Sequence, residues 1–69
     1  MDKPEALEKL LSGNKITHYL FGPKDFLYLS NNKENIFDEM DNFVMSIDNI
    51  FWTETYNKKF NKGWKIFEN

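Results

Sequence analysis

Apolar positions at the start of the chain recur at helical spacing. Leu7, Leu10 and Leu11 fall at i, i+3 and i+4, and Ala6 extends the same stripe. Asp2 is placed to cap this segment, Glu5 three residues later completes a capping-box spacing, and Pro4 is tolerated in the first turn. Gly13 stands where a left-handed C-terminal cap is wanted. A helix of about ten residues is too short to persist alone, so the pattern predicts a helix lying on a sheet.

From Lys15 onward the period changes to two. The stretch "KITHYLF" places Ile16, His18 and Leu20 on one face and Thr17, Tyr19 and Phe21 on the other, as in a strand. "GPKD" turns the chain and "FLYLS" is a second strand. "NNKEN" is a polar turn, "NIF" begins a third strand, "DEMDN" turns again, and "FVMS" is a fourth. Next, Ile47, Ile50 and Phe51 have helical spacing after a Ser46 cap, yet "FWTETY" has strand composition. A short helical turn near 47–52 and a loop through the Asn/Lys-rich stretch satisfy both signals. The closing "GWKIFEN" alternates as a last strand. The expectation is an α+β fold: an N-terminal helix packed on a small antiparallel sheet of four to five short strands, one domain over 1–69.

Composition narrows what such a domain can be. A chain of 69 residues buries only about 60% of its unfolded surface and needs support beyond a small core. The absence of cysteine excludes disulfides and a thiolate zinc site, and a single histidine cannot anchor a His-rich one, so no metal is expected. Seven Phe, three Tyr and two Trp point instead to an aromatic core and to association between protomers. No run resembles a signal peptide or the roughly 20 apolar residues that span a bilayer, so the chain reads as cytoplasmic, without a membrane partner. Catalytic chemistry finds little footing. No cysteine nucleophile exists, no motif joins His18 to a serine, and "GNK" and "GPK" are too short for phosphate loops. A non-enzymatic protein without a cofactor is expected.

The net charge of −2 hides an uneven distribution. Residues 34–57 carry six acids and no base, whereas residues 58–69 carry four lysines against Glu68. Arginine is absent, which disfavours direct nucleic-acid binding. The acidic middle is either a solvated surface or, through Asp38, Glu39 and Asp41, a patch for a basic partner protein.

Candidate ligand contacts lie elsewhere. Aromatic faces such as Tyr19 stack on nucleobases, and Thr17, His18 and Asn61 can hydrogen-bond ribose or phosphate oxygens. The same residues admit plainer roles. Trp64 reads as core, Phe21 as core or pocket rim, and His18 as half-buried and hydrogen-bonded between Ile16 and Leu20.

The order of these pieces resembles the Thoeris anti-defence two-like family of small phage proteins. Members open with a helix of the form found in "EALEKLLSG". They continue with a Lys–aliphatic strand that carries a basic residue and a tryptophan, here "NKITHYLFG", and then a hydrophobic strand, here "FLYL". They close on a short Asp-Trp-aliphatic strand, here "GWKIFE". His18 stands where the family has arginine, Phe21 where it has tryptophan and Gly63 where it has aspartate, and the long central insertion is absent. The resemblance implies a homo-oligomeric phage or prophage protein that sequesters a cyclic adenine-nucleotide immune signal in the host bacterial cytoplasm. Carried across by position, Phe21 would stack on the ligand, His18 would take the polar or cationic place, and Trp64 would close the site. The broader family also includes a reported Cas9 inhibitor. Direct inhibition of a bacterial defence nuclease through the acidic surface is therefore a second expectation, and a phage accessory protein without ligand a third.

Overall fold

The computed structural model describes residues 1–68, and its first element begins as the capping signals require. Asp2 Oδ1 accepts from the Glu5 amide while Glu5 Oε1 accepts from the Asp2 amide, and helix α1 runs over Lys3–Leu11. Gly13, at φ 91°, lets the chain leave the helix in the left-handed region. The buried row of α1 is Lys3, Ala6 and Leu10, whereas Leu11 is exposed. The expected apolar stripe is thus rotated by part of a turn, and a lysine takes one of its inner positions.

Five short strands follow: β1 Ile16–His18, β2 Leu27–Leu29, β3 Asn35–Asp38, β4 Phe43–Ser46 and β5 Trp64–Ile66. Every pairing is antiparallel and the order across the sheet is β4-β3-β2-β1-β5. The first four strands form a meander, and β5 returns to pair with β1 in the register Ile16↔Ile66, Thr17↔Lys65 and His18↔Trp64. The register of β3 on β4 slips between Ile36 and Phe37, so Phe37 faces Phe43 and Val44 is the extra residue. Residues before α1 extend the far rim. Met1 and Trp64 exchange backbone N–H···O bonds of 2.8 and 3.1 Å, and the Lys3 amide donates to the Asn61 carbonyl.

The structure departs from expectation in two segments. β1 ends at His18, three residues before the predicted end of the strand, because the Leu20 amide turns back onto His18 Nδ1 and the Phe21 amide onto the His18 carbonyl. Tyr19 and Leu20 therefore stand exposed. The ambiguous stretch holds the expected helical turn, a 3-10 turn at Ile50–Trp52, and a second one at Lys58–Phe60 where a loop was expected. The first is capped by Asn49, whose Oδ1 accepts from the Phe51 amide, rather than by Ser46. Asn69, the last position of the predicted closing strand, lies outside the described residues.

Ala6 and Leu10 of α1 meet Ile16, Leu27, Ile36, Trp52 and Trp64 in one core between helix and sheet. Lys3 reaches from the helix into the 50–57 segment. Its ammonium donates to Phe51 O at 2.6 Å, Glu54 O at 2.8 Å and Glu54 Oε1 at 2.6 Å, using all three hydrogens, and sits 4.6 Å from the Phe51 ring centroid. Glu54 Oε2 accepts from the Asn57 amide. The Lys3 hydrogen bond and the Asn57 amide hold the Glu54 carboxyl below the usual glutamate range, against the opposing effect of its burial.

Two outcomes test this core. Leu10→Ala should destabilise the fold by about 2–5 kcal/mol in urea titrations, as large-to-small changes at sealed positions do. Because Glu54 binds its proton less readily folded than unfolded, the stability it contributes is complete above the ordinary glutamate range. That contribution is lost as pH falls through the lowered folded-state value. Stability measured from pH 7 downward should fall less steeply in Glu54→Gln than in the parent.

Candidate functional site

The residues singled out from sequence separate into three places. His18 lies at the end of β1 on the core side, 2% exposed. Its Nδ1 accepts from the Leu20 amide at 3.1 Å, which leaves Nε2 as the protonated nitrogen, donating to Lys62 O at 2.7 Å. Rings of Tyr19, Phe21, Phe60 and Trp64 surround the imidazole at centroid separations of 4.5 to 5.8 Å. Both nitrogens are spent within the protein. Trp64 is equally interior at 2% exposed, with its indole N–H on Phe60 O at 2.7 Å. The positions carried over as the cationic contact and the closing ring are thus part of the core.

Tyr19 behaves differently. Its amide donates to Gly63 O, and its ring lies on the glycine so closely that a Cβ at Gly63 would fall 2.3 Å from Tyr19 Cδ1. The imidazole of His18, its centre 4.5 Å from that of the ring and tilted at 35°, packs against it as well. Tyr19 itself is 67% exposed. A fixed ring with an open face results, and it borders a hollow of about 370 Å³ beside the β1–β5 pair. Thr17, Phe21, Gly22, Pro23 and Lys65 line the same hollow. Thr17 is buried and its hydroxyl donates to Asp25 O, so the exposed charged groups at the hollow are Lys65, on β5, and Glu68 just beyond it. Four of the six residues chosen as ligand contacts therefore border one space, although His18 does so from within the core.

Asn61 belongs to a second hollow, about 520 Å³, between the start of α1 and Trp52–Thr55. Its Nδ2 donates to Thr55 O, while Asn61 Oδ1 and the Trp52 indole nitrogen are buried without partners among the described residues. The acidic trio gathers at the β3–β4 turn. Asp38 Oδ1 accepts from the Met40 and Asn42 amides, Glu39 Oε1 accepts from the Phe26 amide, and Asp41, at φ 62°, accepts from the Tyr28 hydroxyl. That bond and the nearby carboxylate charge raise the Tyr28 phenol above the ordinary tyrosine range. The sixth acid of the acidic segment, Glu54, is taken up by Lys3 in the interior.

One feature was not anticipated as a site. On the sheet face turned away from α1, aromatic rings follow one another across the strands. Phe67 meets Phe26 at 4.7 Å, Phe26 meets Tyr28 at 6.3 Å, Tyr28 stacks on Phe37 at 5.7 Å, and Phe37 meets Phe43 at 6.2 Å. Lys15 Nζ lies 4.6 Å from the centre of the Phe26 ring. The signal was present in the alternation of "FLYL" and "NIF", where Phe26 and Tyr28 flank the core residue Leu27 and Phe37 follows the core residue Ile36.

No family model, curated protein or solved structure matches this chain. Among the described residues, no three of His, Cys, Asp and Glu come together as metal ligands, and no helix is long and apolar enough to cross a membrane.

The Tyr19–Gly63 contact gives a direct test. Gly63→Ala combines a positive φ of 93° with a Cβ inside the Tyr19 ring, so it should cost about 1–3 kcal/mol in stability. The Tyr19 ring resonances should shift with it in NMR spectra, while those of Phe37, on the far half of the sheet, should hardly move.

Proposed function

We propose that the protein is a non-enzymatic capture protein that holds a cyclic adenine-nucleotide immune signal in the hollow beside β1 and β5. In this reading it is a phage or prophage anti-defence protein acting in the host bacterial cytoplasm, as the resemblance of its sequence motifs implies. One observation carries the proposal: Tyr19 is a ring fixed on one side by Gly63 and open on the other, above a space of ligand size. A ring positioned before binding loses little freedom on stacking with an adenine, which favours affinity. The roles differ from those carried over by position. Tyr19 takes the stacking place instead of Phe21, which forms the wall. Lys65 takes the phosphate contact instead of His18, whose nitrogens are both engaged. That engagement also supports a role without catalysis, because His18 has no free nitrogen with which to move a proton.

Direct inhibition of a bacterial defence nuclease is the second reading. It is favoured by the β3–β4 turn, where Met40 stands 72% exposed among Asp38, Glu39 and Asp41. A basic protein surface with an apolar recess would suit it.

Thermal unfolding in the presence of cyclic ADP-ribose isomers separates the readings. Capture predicts a rise in Tm that grows with nucleotide concentration and is lost in Tyr19→Ala, whose exposed side chain the fold can spare. Lys65→Ala should weaken binding about tenfold, the loss of one charged contact to phosphate. No shift with any isomer would remove the capture reading and leave the inhibitor or a ligand-free phage accessory protein.

A further inference from the structure

The aromatic face of the sheet lies opposite the helix and the core, and no element of residues 1–68 packs on it. Phe43, at its β4 end, is 61% exposed. Phe26, Tyr28, Phe37 and Phe67 are half-buried; their rings meet one another, with Lys15 over Phe26 and Asp41 accepting from the Tyr28 hydroxyl. A row of five rings on one sheet face is unusual surface for a monomer and marks a place of contact. The charges on this face are also sorted. Lys15 and Lys65 lie on the β1–β5 half, each next to a core residue of its strand, Ile16 or Trp64, with Lys65 opposite Thr17. Glu39 and Asp41 lie on the other half, bonded to Phe26 and Tyr28.

That arrangement is complementary to itself. A two-fold axis parallel to the strands, between β2 and β3, turns one sheet face onto another and brings β1 of one protomer over the β3–β4 side of its partner. Lys15 of each protomer then meets carboxylates of the other, and the rings of the two protomers meet in the middle. Rotation about an axis across the strands would instead set like charges against each other. We propose that the aromatic face is the interface of a two-fold homodimer, in which Lys15 of each protomer meets the Glu39–Asp41 turn of the other. The occupant is a second copy because the ring row alone would suit many partners, whereas the paired gradient of charge suits this chain. The hollow beside Tyr19 shares Thr17, Lys65 and Phe67 with this face, and the dimer needs no ligand in it.

Sedimentation equilibrium over a concentration series tests it. The parent should sediment as a dimer that weakens with salt. Phe43→Lys should give a folded monomer, with circular dichroism and Tm near the parent's, since the side chain it replaces is exposed in the protomer. Lys15→Glu should weaken the dimer about tenfold, and adding Glu39→Lys should recover most of the loss. A parent that stays monomeric to about 1 mM overturns the proposal, and so does binding of a different protein by that monomer through the same face. A dimer indifferent to Phe43→Lys, or one that the charge exchange fails to restore, overturns it too.

Discussion

Burial of the Lys3 ammonium determines how the rest of the chain closes. An amine removed from water destabilises a fold unless every hydrogen finds an acceptor, and here two carbonyls and one carboxylate provide them. All three acceptors come from residues 51–54, a segment with no strand of its own. Lys3 thereby ties the first turn of the helix to the 3-10 turn at Ile50–Trp52. That turn brings Phe51 and Trp52 against Trp64, which in turn supports Phe60 and His18. The amide of Lys3 on Asn61 and the Met1–Trp64 exchange run alongside, so the beginning and end of the chain are joined at several points.

Local signals in the sequence were readable because the forces behind them act within a few residues. The capping box, the glycine after α1, the β4 strand "FVMS" and the polar turns between strands all depend on neighbours within one turn of chain. Lys3 and Glu54 depend on each other across 51 positions, and nothing near either residue announces the pair. A lysine beside a helix start is ordinarily solvated, so the interior row Lys3–Ala6–Leu10 was hidden behind the more apolar Leu7–Leu10–Leu11. The early end of β1 was hidden for a similar reason. It follows from His18 bonding the amide two residues ahead, a side-chain effect that alternation of apolar and polar positions does not encode.

The aromatic residues divide by face, and that division governs what the molecule can do. Phe21, Phe51, Phe60, Trp52 and Trp64 meet on the inner side and supply solidity to a chain too short for a large aliphatic core. Phe26, Tyr28, Phe37, Phe43 and Phe67 lie on the other side, in contact with each other, with Lys15 over Phe26 and Asp41 bonded to the Tyr28 hydroxyl. Tyr19 belongs to neither group. It stands at the rim because β1 stops one residue before it, so a shortened strand creates the exposed ring. The candidate site was thus half legible: its residue types were named, but which ring is free and which is sealed depends on where a three-residue strand ends.

Neither rim of the sheet is a plain, regular edge. Beyond β5, residues Met1 to Lys3 already occupy the backbone groups at Asn61 and Trp64. At β4, the extra residue Val44 bends the rim beside an Asp41 held at positive φ. Unpaired strand rims are templates on which chains polymerise side by side into fibrils. A domain this rich in Phe and Tyr would be prone to that fate at the high concentrations of a crowded cell. The partly covered β5 rim and the bulged β4 rim both work against growth by strand addition.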